Sequence, residues 1–182
     1  MKSAGFDFKV VESNFDENGV IEEDARKRPL LLAEAKAREV ASKLTEDAVV
    51  IGSDTVVLFE GRKFEKPIDM AEAFEMAKKL QGSISEVFTG VCILWLKNGK
   101  IVSKKSWVSN SKVKMKAIGD EQIRALHKEL SPLDRAGGYC YTFLNSKGLV
   151  EVISGYESTV RGLPIEEVSI ALKELGQMTS FF

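Results

Sequence analysis

Asn98-Gly99 lies between two long β-rich runs, Val87 to Leu96 and Ile101 to Met115, and nothing else in the chain restricts the fold as strongly. The pair supplies the positive φ angles that a two-residue hairpin turn demands. The spacing therefore predicts two long antiparallel strands at the middle of the chain. Around them helical and extended patterns alternate. Phe6-Asp7-Phe8-Lys9-Val10-Val11 alternates and then runs apolar, predicting a strand, and Ser13 to Asp24 is an acidic loop with Asn18-Gly19 in it. Pro29 opens a helix over 29–44, with Leu32, Ala33, Ala37, Val40, Ala41 and Leu44 at helical spacing.

Short strands follow at 48–52 and 55–59, and Glu60-Gly61 is a turn. Asp69 caps a second helix, Glu72 three residues later makes a capping-box-like pair, Ala73, Met76, Ala77 and Leu80 are the buried stripe, and Gly82 ends it. A third helix covers Asp120 to Leu130, Ala136 to Tyr139 is a flexible turn, and Leu149 to Ile153 is a strand. The last helix begins at Leu163-Pro164 and buries Ile165, Val168, Leu172 and Leu175. The sum is an α/β protein with a mixed twisted sheet and flanking helices. At 182 residues it is most simply one domain with a real core.

The stretch Ile51-Gly52-Ser53-Asp54-Thr55-Val56-Val57 carries the chemistry. A carboxylate between two β-branched runs is costly to bury unless it is paired, protonated or on a metal. At a sheet's mouth such an acid can hold Mg²⁺ or activate water; the bland alternative is a strand-end turn whose Asp caps backbone N–H groups. Lys36 lies on the 29–44 helix between Leu32 and Val40, so it either snorkels to water, the commoner case, or points into a polar cleft. Lys66 precedes Pro67, which holds its backbone extended. Asp54 and the acidic pair Asp16-Glu17 can together offer hard oxygen ligands to a divalent cation. Two lysines and clustered acids match the needs of phosphoryl chemistry, although no Walker P-loop occurs.

The remaining composition excludes other classes. Lys plus Arg number 26 against 27 acids, a net charge of −1, which disfavours stable nucleic-acid binding. Lys112, Lys114 and Lys116 share one strand face and read as a solvated face. The sole histidine, His127, excludes a multi-histidine metal site. Cys92 and Cys140 are far apart in apolar or aromatic contexts, as buried thiols in a reducing compartment would be. No apolar run is long enough for a membrane and no signal-peptide pattern opens the chain, so a cytoplasmic protein is expected.

Taken together, the ordered segments resemble the Maf family of nucleoside triphosphate pyrophosphatases, also described as septum-formation inhibitors. The resemblance runs through Ala4-Gly5-Phe6-Asp7-Phe8, Glu12 to Glu17, Ala35-Lys36-Ala37, Ile51 to Val57, Glu65-Lys66-Pro67, Leu80-Gln81-Gly82 and Val87 to Val91. It continues in Asp134 to Tyr139, Gly155-Tyr156 and Val160 to Pro164. It implies an elongated two-lobed fold with a central cleft, related to the inosine-triphosphate pyrophosphatases. It also implies metal-dependent (Mg or Mn) cleavage of a nucleoside triphosphate between the α and β phosphates, and a homodimer is plausible by the same resemblance. Carried over by position, Asp54 is the proton acceptor, Lys36 and Lys66 bind phosphate, and Glu17 joins Asp54 at the metal. Thr55 follows the acid as in members that prefer dTTP and UTP.

Two departures from that family pattern stand out. The chain as given opens at Met1-Lys2-Ser3-Ala4-Gly5, where the family's first helix ends, so the first strand and its Ser-x-Ser-x-Arg-Arg element are expected to be lacking. That implies either a truncated start or a variant with weakened catalysis, and leaves a nucleotide-binding regulator of cell division as the alternative function. Thr142 stands where dTTP/UTP-preferring members carry Gln, and a hydroxyl cannot make the paired contact of an amide to a base edge. Base preference therefore stays open between pyrimidine and modified nucleotides.

Overall fold

The computed structural model describes residues 5–179, with the side chains of residue 18 and of 175–179 outside that description. Five strands are present: β1 (Ala48–Phe59), β2 (Arg62–Phe64), β3 (Ile84–Lys97), β4 (Lys100–Met115) and β5 (Val150–Ser154). The helices are α1 (Arg28–Ala41), α2 (Met70–Leu80), α3 (Asp120–Glu129), α4 (Tyr141–Ser146), α5 (Glu157–Val160) and α6 (Ile165–Thr179). One sheet runs in the order β2-β1-β3-β4-β5, with helices flanking it. The α/β class is as the sequence implies, but the pairing is antiparallel rather than mixed. Alternation of helix and strand does not fix strand direction: a tight turn returns β2 along β1, with Val57 opposite Phe64, and only then does α2 follow.

The hairpin is where the sequence puts it. Asn98 and Gly99 have φ of 48° and 71°, the signature of a primed turn, and Asp47 Oδ1 accepts from the Asn98 N–H at 2.7 Å. Two expectations fail. Phe6 to Val11 has no ladder partner and is irregular, because alternation makes a strand only where a neighbouring edge pairs with it. The strands expected at 48–52 and 55–59 are one continuous strand, β1, with Gly52 inside it.

The chain divides into two compact units. The first contains Met1–Asp54, Thr89–Ser109 and Gly162–Phe182. Here α1 places Ala33, Ala37, Val40 and Ala41 against Val50, Cys92, Leu94 and Leu96. Val168 and Ala171 of α6 bury Val91 and Ile93. Successive side chains of β3 point to opposite faces and both faces are covered, which is why Val91 to Leu96 reads as an unbroken apolar run. Ile165 and Leu172 pack with the α6 side as expected, while the Leu175 side chain lies outside the described residues. Trp107 Nε1 donates to Glu167 Oε2 at 2.9 Å, satisfying an indole that would otherwise be buried unpaired.

The second unit contains Thr55–Phe88 and Asn110–Arg161. Its core gathers Val57, Phe64, Leu80, Val87, Val113, Met115, Leu126 and Leu144. Along β4, Ser111, Val113 and Met115 are buried while Lys112 and Lys114 are exposed, so the lysine alternation is a solvated face. Lys114 lies opposite Glu151 of β5, which offsets its charge. Asp69 caps α2 through its Oδ1, which accepts from Glu72 N–H at 2.8 Å, and Glu72 Oε2 accepts from Ile68 N–H at 2.7 Å. Replacing Asp69 by Ala is expected to cost about 1 kcal/mol in a urea titration, since one orphan donor of the first turn loses its acceptor.

Cys92 is buried, and burial, with Glu34 adding to it, pushes its thiol up to about 11, consistent with a packing role. Cys140 is also a free thiol. No helix among the described residues is long and apolar enough to cross a membrane.

Candidate active site

Three of the sequence-predicted residues meet in the first unit. Lys36 Nζ lies 2.7 Å from Asp54 Oδ1 and 2.7 Å from Glu17 Oε1. Lys36 thus points into a polar site and does not snorkel, with 22% of its side chain exposed and 18% of Asp54's. The local fold explains the meeting. Val50, Gly52 and Asp54 alternate along β1, so they share a face, and α1 lies on that face. A Cβ on Gly52 would sit 2.3 Å from Ala33 O and 2.9 Å from Ala37 N. A Cβ on Gly90 would sit 2.3 Å from Pro29 C. The helix rests on two bare glycines, and this close approach lets Lys36 reach the acid.

Glu17 opens a short 3₁₀ turn, Glu17–Gly19, inside the acidic loop. Arg28 holds that turn through Nη2 to the Glu17 carbonyl at 3.2 Å, and Asn14 N–H reaches Glu39 Oε2 at 3.4 Å. Ser53 steadies the strand beside Asp54: its Oγ is 3.1 Å from Gly90 O and 2.5 Å from Gly162 O, and its one hydrogen serves one carbonyl at a time.

Both members of the central pair have raised pKa values, for opposite reasons. For Asp54, burial is the largest influence and lifts the carboxyl, Glu17 adds repulsion, and Lys36 and Arg28 pull the other way without winning. For Lys36, burial pulls the ammonium down, but the hydrogen bonds and charges of Asp54 and Glu17 outweigh it. A carboxylate with a raised pKa next to a fixed cation is the ordinary design for a general base. Arg28 was not singled out from the sequence. It sits eight residues before Lys36, about two helical turns, and the Arg28-Pro29 helix start was the signal available.

Two hard carboxylates facing one ammonium leave an excess negative charge, and that donor chemistry fits a divalent cation. Among the described residues no group of three or more His, Cys, Asp or Glu converges, so the protein share of such a site is Glu17 and Asp54, with water and phosphate oxygens completing it. Mg²⁺ is commonly held this way.

The other predicted residues lie in the second unit. Lys66 is exposed, on the segment after β2, and its neighbour Glu65 accepts from Gly137 N–H at 3.0 Å. That bond ties the Lys66 segment to the Ala136–Gly138 turn, which borders a cavity of about 240 Å³. Thr55 and Thr142 both line this cavity. Arg135 and Arg161 line it too, and neither was anticipated. Their signal was compositional only: a basic residue beside the Asp134 to Tyr139 segment and another before Gly162-Leu163-Pro164. Tyr139, on the wall, is fixed by a hydrogen bond with Ser85, and burial raises its phenol.

Comparison with known proteins agrees with this arrangement. The family model described as "Maf-like protein" matches residues 1–175. A dTTP/UTP pyrophosphatase of Clostridium tetani is 37% identical over 171 residues, 93% of this chain and 87% of that protein. One from Thermoanaerobacter sp. (strain X514) is 38% identical over 173 residues, 95% of this chain and 88% of that protein. One from Syntrophus aciditrophicus is 34% identical over 175 residues, covering 96% and 83%. The match passes through every segment that supplies a site residue, and the chain belongs to the Maf-like protein family.

Proposed function

We propose that this chain is a nucleoside triphosphate pyrophosphatase that hydrolyses the bond between the α and β phosphates of a pyrimidine or modified nucleotide. The observation that carries the reading is the Lys36 ammonium held between Asp54 and Glu17, in a chain whose relatives are dTTP/UTP pyrophosphatases. Asp54 takes a proton from water, the water oxygen attacks the α phosphorus, and the α–β bridging oxygen leaves with pyrophosphate. Lys36 offsets phosphate charge, and Lys66 makes a phosphate contact of its own. Glu17 and Asp54 are the residues that hold a divalent cation, Mg or Mn. When bound, such a cation neutralises charge on the phosphate oxygens. Thr55 and Thr142 contact the base or sugar.

The direct test is pyrophosphate release from dTTP, UTP, CTP, inosine triphosphate and 7-methyl-GTP with Mg²⁺ or Mn²⁺. Release from at least one, with the matching monophosphate, is expected; silence across the panel overturns the reading. A pH profile probes the base. Glu17→Gln removes a repulsion that raises the Asp54 pKa and leaves Lys36 wholly to Asp54, and both effects push that pKa down. The acidic limb of kcat/KM therefore moves to lower pH in the variant. An unmoved or rising limb means that Asp54 is not the group being titrated.

A further inference from the structure

Arg135 presents an unresolved demand. Its Nε is buried and has no hydrogen-bond acceptor. Asp134 Oδ1 lies 3.4 Å away, close enough for an ion pair but without hydrogen-bond geometry. A buried N–H left unpaired is costly, and a guanidinium can only donate. The same residue lines the cavity of about 240 Å³, whose volume far exceeds the ~30 Å³ share of one water molecule.

The lining narrows what would satisfy that donor. Val57, Val87 and Val160 give the cavity apolar walls, which disfavour a desolvated phosphate. The Asp134 carboxylate beside the guanidinium adds repulsion against any dianion. A flat, neutral ring bearing a keto oxygen meets both conditions: its faces fit the valines and its oxygen accepts the N–H.

We propose that Arg135 is a base-reading residue whose Nε–H donates to the keto oxygen that uracil and thymine carry at ring position 4. Cytosine carries an amino group there, itself a donor, so two donors would face each other in a buried site. This assignment deepens the pyrophosphatase reading and rests on it for the substrate class. It also gives the site a means of base selection that does not depend on an amide side chain at position 142.

Two measurements test it on the full chain: kcat/KM for UTP, dTTP and CTP, and affinity for the α,β-imido analogues of UTP and CTP, which cannot be cleaved between those phosphates. The wild type is expected to favour uracil and thymine over cytosine in both. Arg135→Met is expected to shrink the UTP-to-CTP ratio by about 10- to 100-fold, the worth of one charge-assisted hydrogen bond. Arg135→Lys keeps the charge but not the Nε–H and is expected to shrink it likewise, so the test survives if the Met variant folds poorly. A parallel fall for UTP and CTP, full discrimination in the Lys variant, or equal wild-type affinity for the two analogues overturns the assignment. Wild-type preference for the uracil analogue, lost in both variants but without any turnover, upholds Arg135 and overturns the pyrophosphatase reading instead.

Discussion

Asp54→Asn is expected to lower kcat/KM for the preferred nucleotide by about 10²- to 10⁴-fold, the range that removal of a positioned proton acceptor produces. The amide keeps the shape of the carboxyl and loses its basicity and charge. The fold is expected to survive. Because burial raises the Asp54 pKa in the folded protein, the folded state holds that proton more tightly than the unfolded chain does. The stability from this group is therefore complete at low pH and is lost as pH rises through the raised pKa. At neutral pH the ionised Asp54 costs stability, partly offset by Lys36. Asparagine removes both the cost and the pairing, while Lys36 keeps Glu17 at 2.7 Å. The melting temperature at pH 7 is thus expected to stay level or rise while turnover collapses. Full turnover in the variant rules out Asp54 as the base. A collapse of both turnover and melting temperature makes Asp54 a structural acid instead.

Much of the fold is legible in the sequence because its elements are long and their periods are unmixed. The 3.6-residue stripe of α1 and the Asp69 cap of α2 each rest on local rules that no distant contact overrides here. The β3–β4 hairpin follows from Asn98-Gly99 alone. What was missed depends on neighbours. Phe6 to Val11 carries a strand's alternation without a strand beside it. The six residues of α4 are too few for a helical period to show. β1 was divided at Gly52 because an isolated glycine in an apolar run usually marks a break.

The site divides the same way. Asp54 and Lys36 were visible as polar residues in apolar company, a pattern that needs a partner to be tolerable. Their union, across 18 positions, was not visible, because it is set by where α1 crosses β1. Arg28 and Arg135 were invisible for a related reason. One gains its meaning from a carbonyl 11 residues away, the other from a buried nitrogen in a cavity wall. Neither position is unusual for arginine in the sequence itself.

The crossing gives the second large expectation. Gly52→Ala should destabilise the chain by about 3 kcal/mol or more, because the added Cβ meets backbone that cannot swing aside. Its contacts would be 2.3 Å to Ala33 O, 2.9 Å to Ala37 N and 2.9 Å to Ala37 Cβ, all on α1. Gly52 does not have a positive φ, so alanine has no backbone strain of its own there. Restricting the unfolded chain would by itself favour alanine by only about 0.4–1 kcal/mol, too little to offset the clash. Relief requires α1 to move off the strand, and Lys36 moves with it. A displacement near 1 Å at a catalytic contact costs about 10²-fold in rate, so turnover should fall in the fraction that still folds. Gly19→Ala is the control: a Cβ there meets nothing within 4 Å, and its stability should stay within about 0.5 kcal/mol of the parent. Urea titration of the two variants, with turnover measured below the unfolding transition, separates the effects. A Gly52→Ala chain within about 1 kcal/mol of the parent would mean that α1 has room to retreat. If turnover were also unchanged, the 2.7 Å contacts of Lys36 would not depend on this crossing.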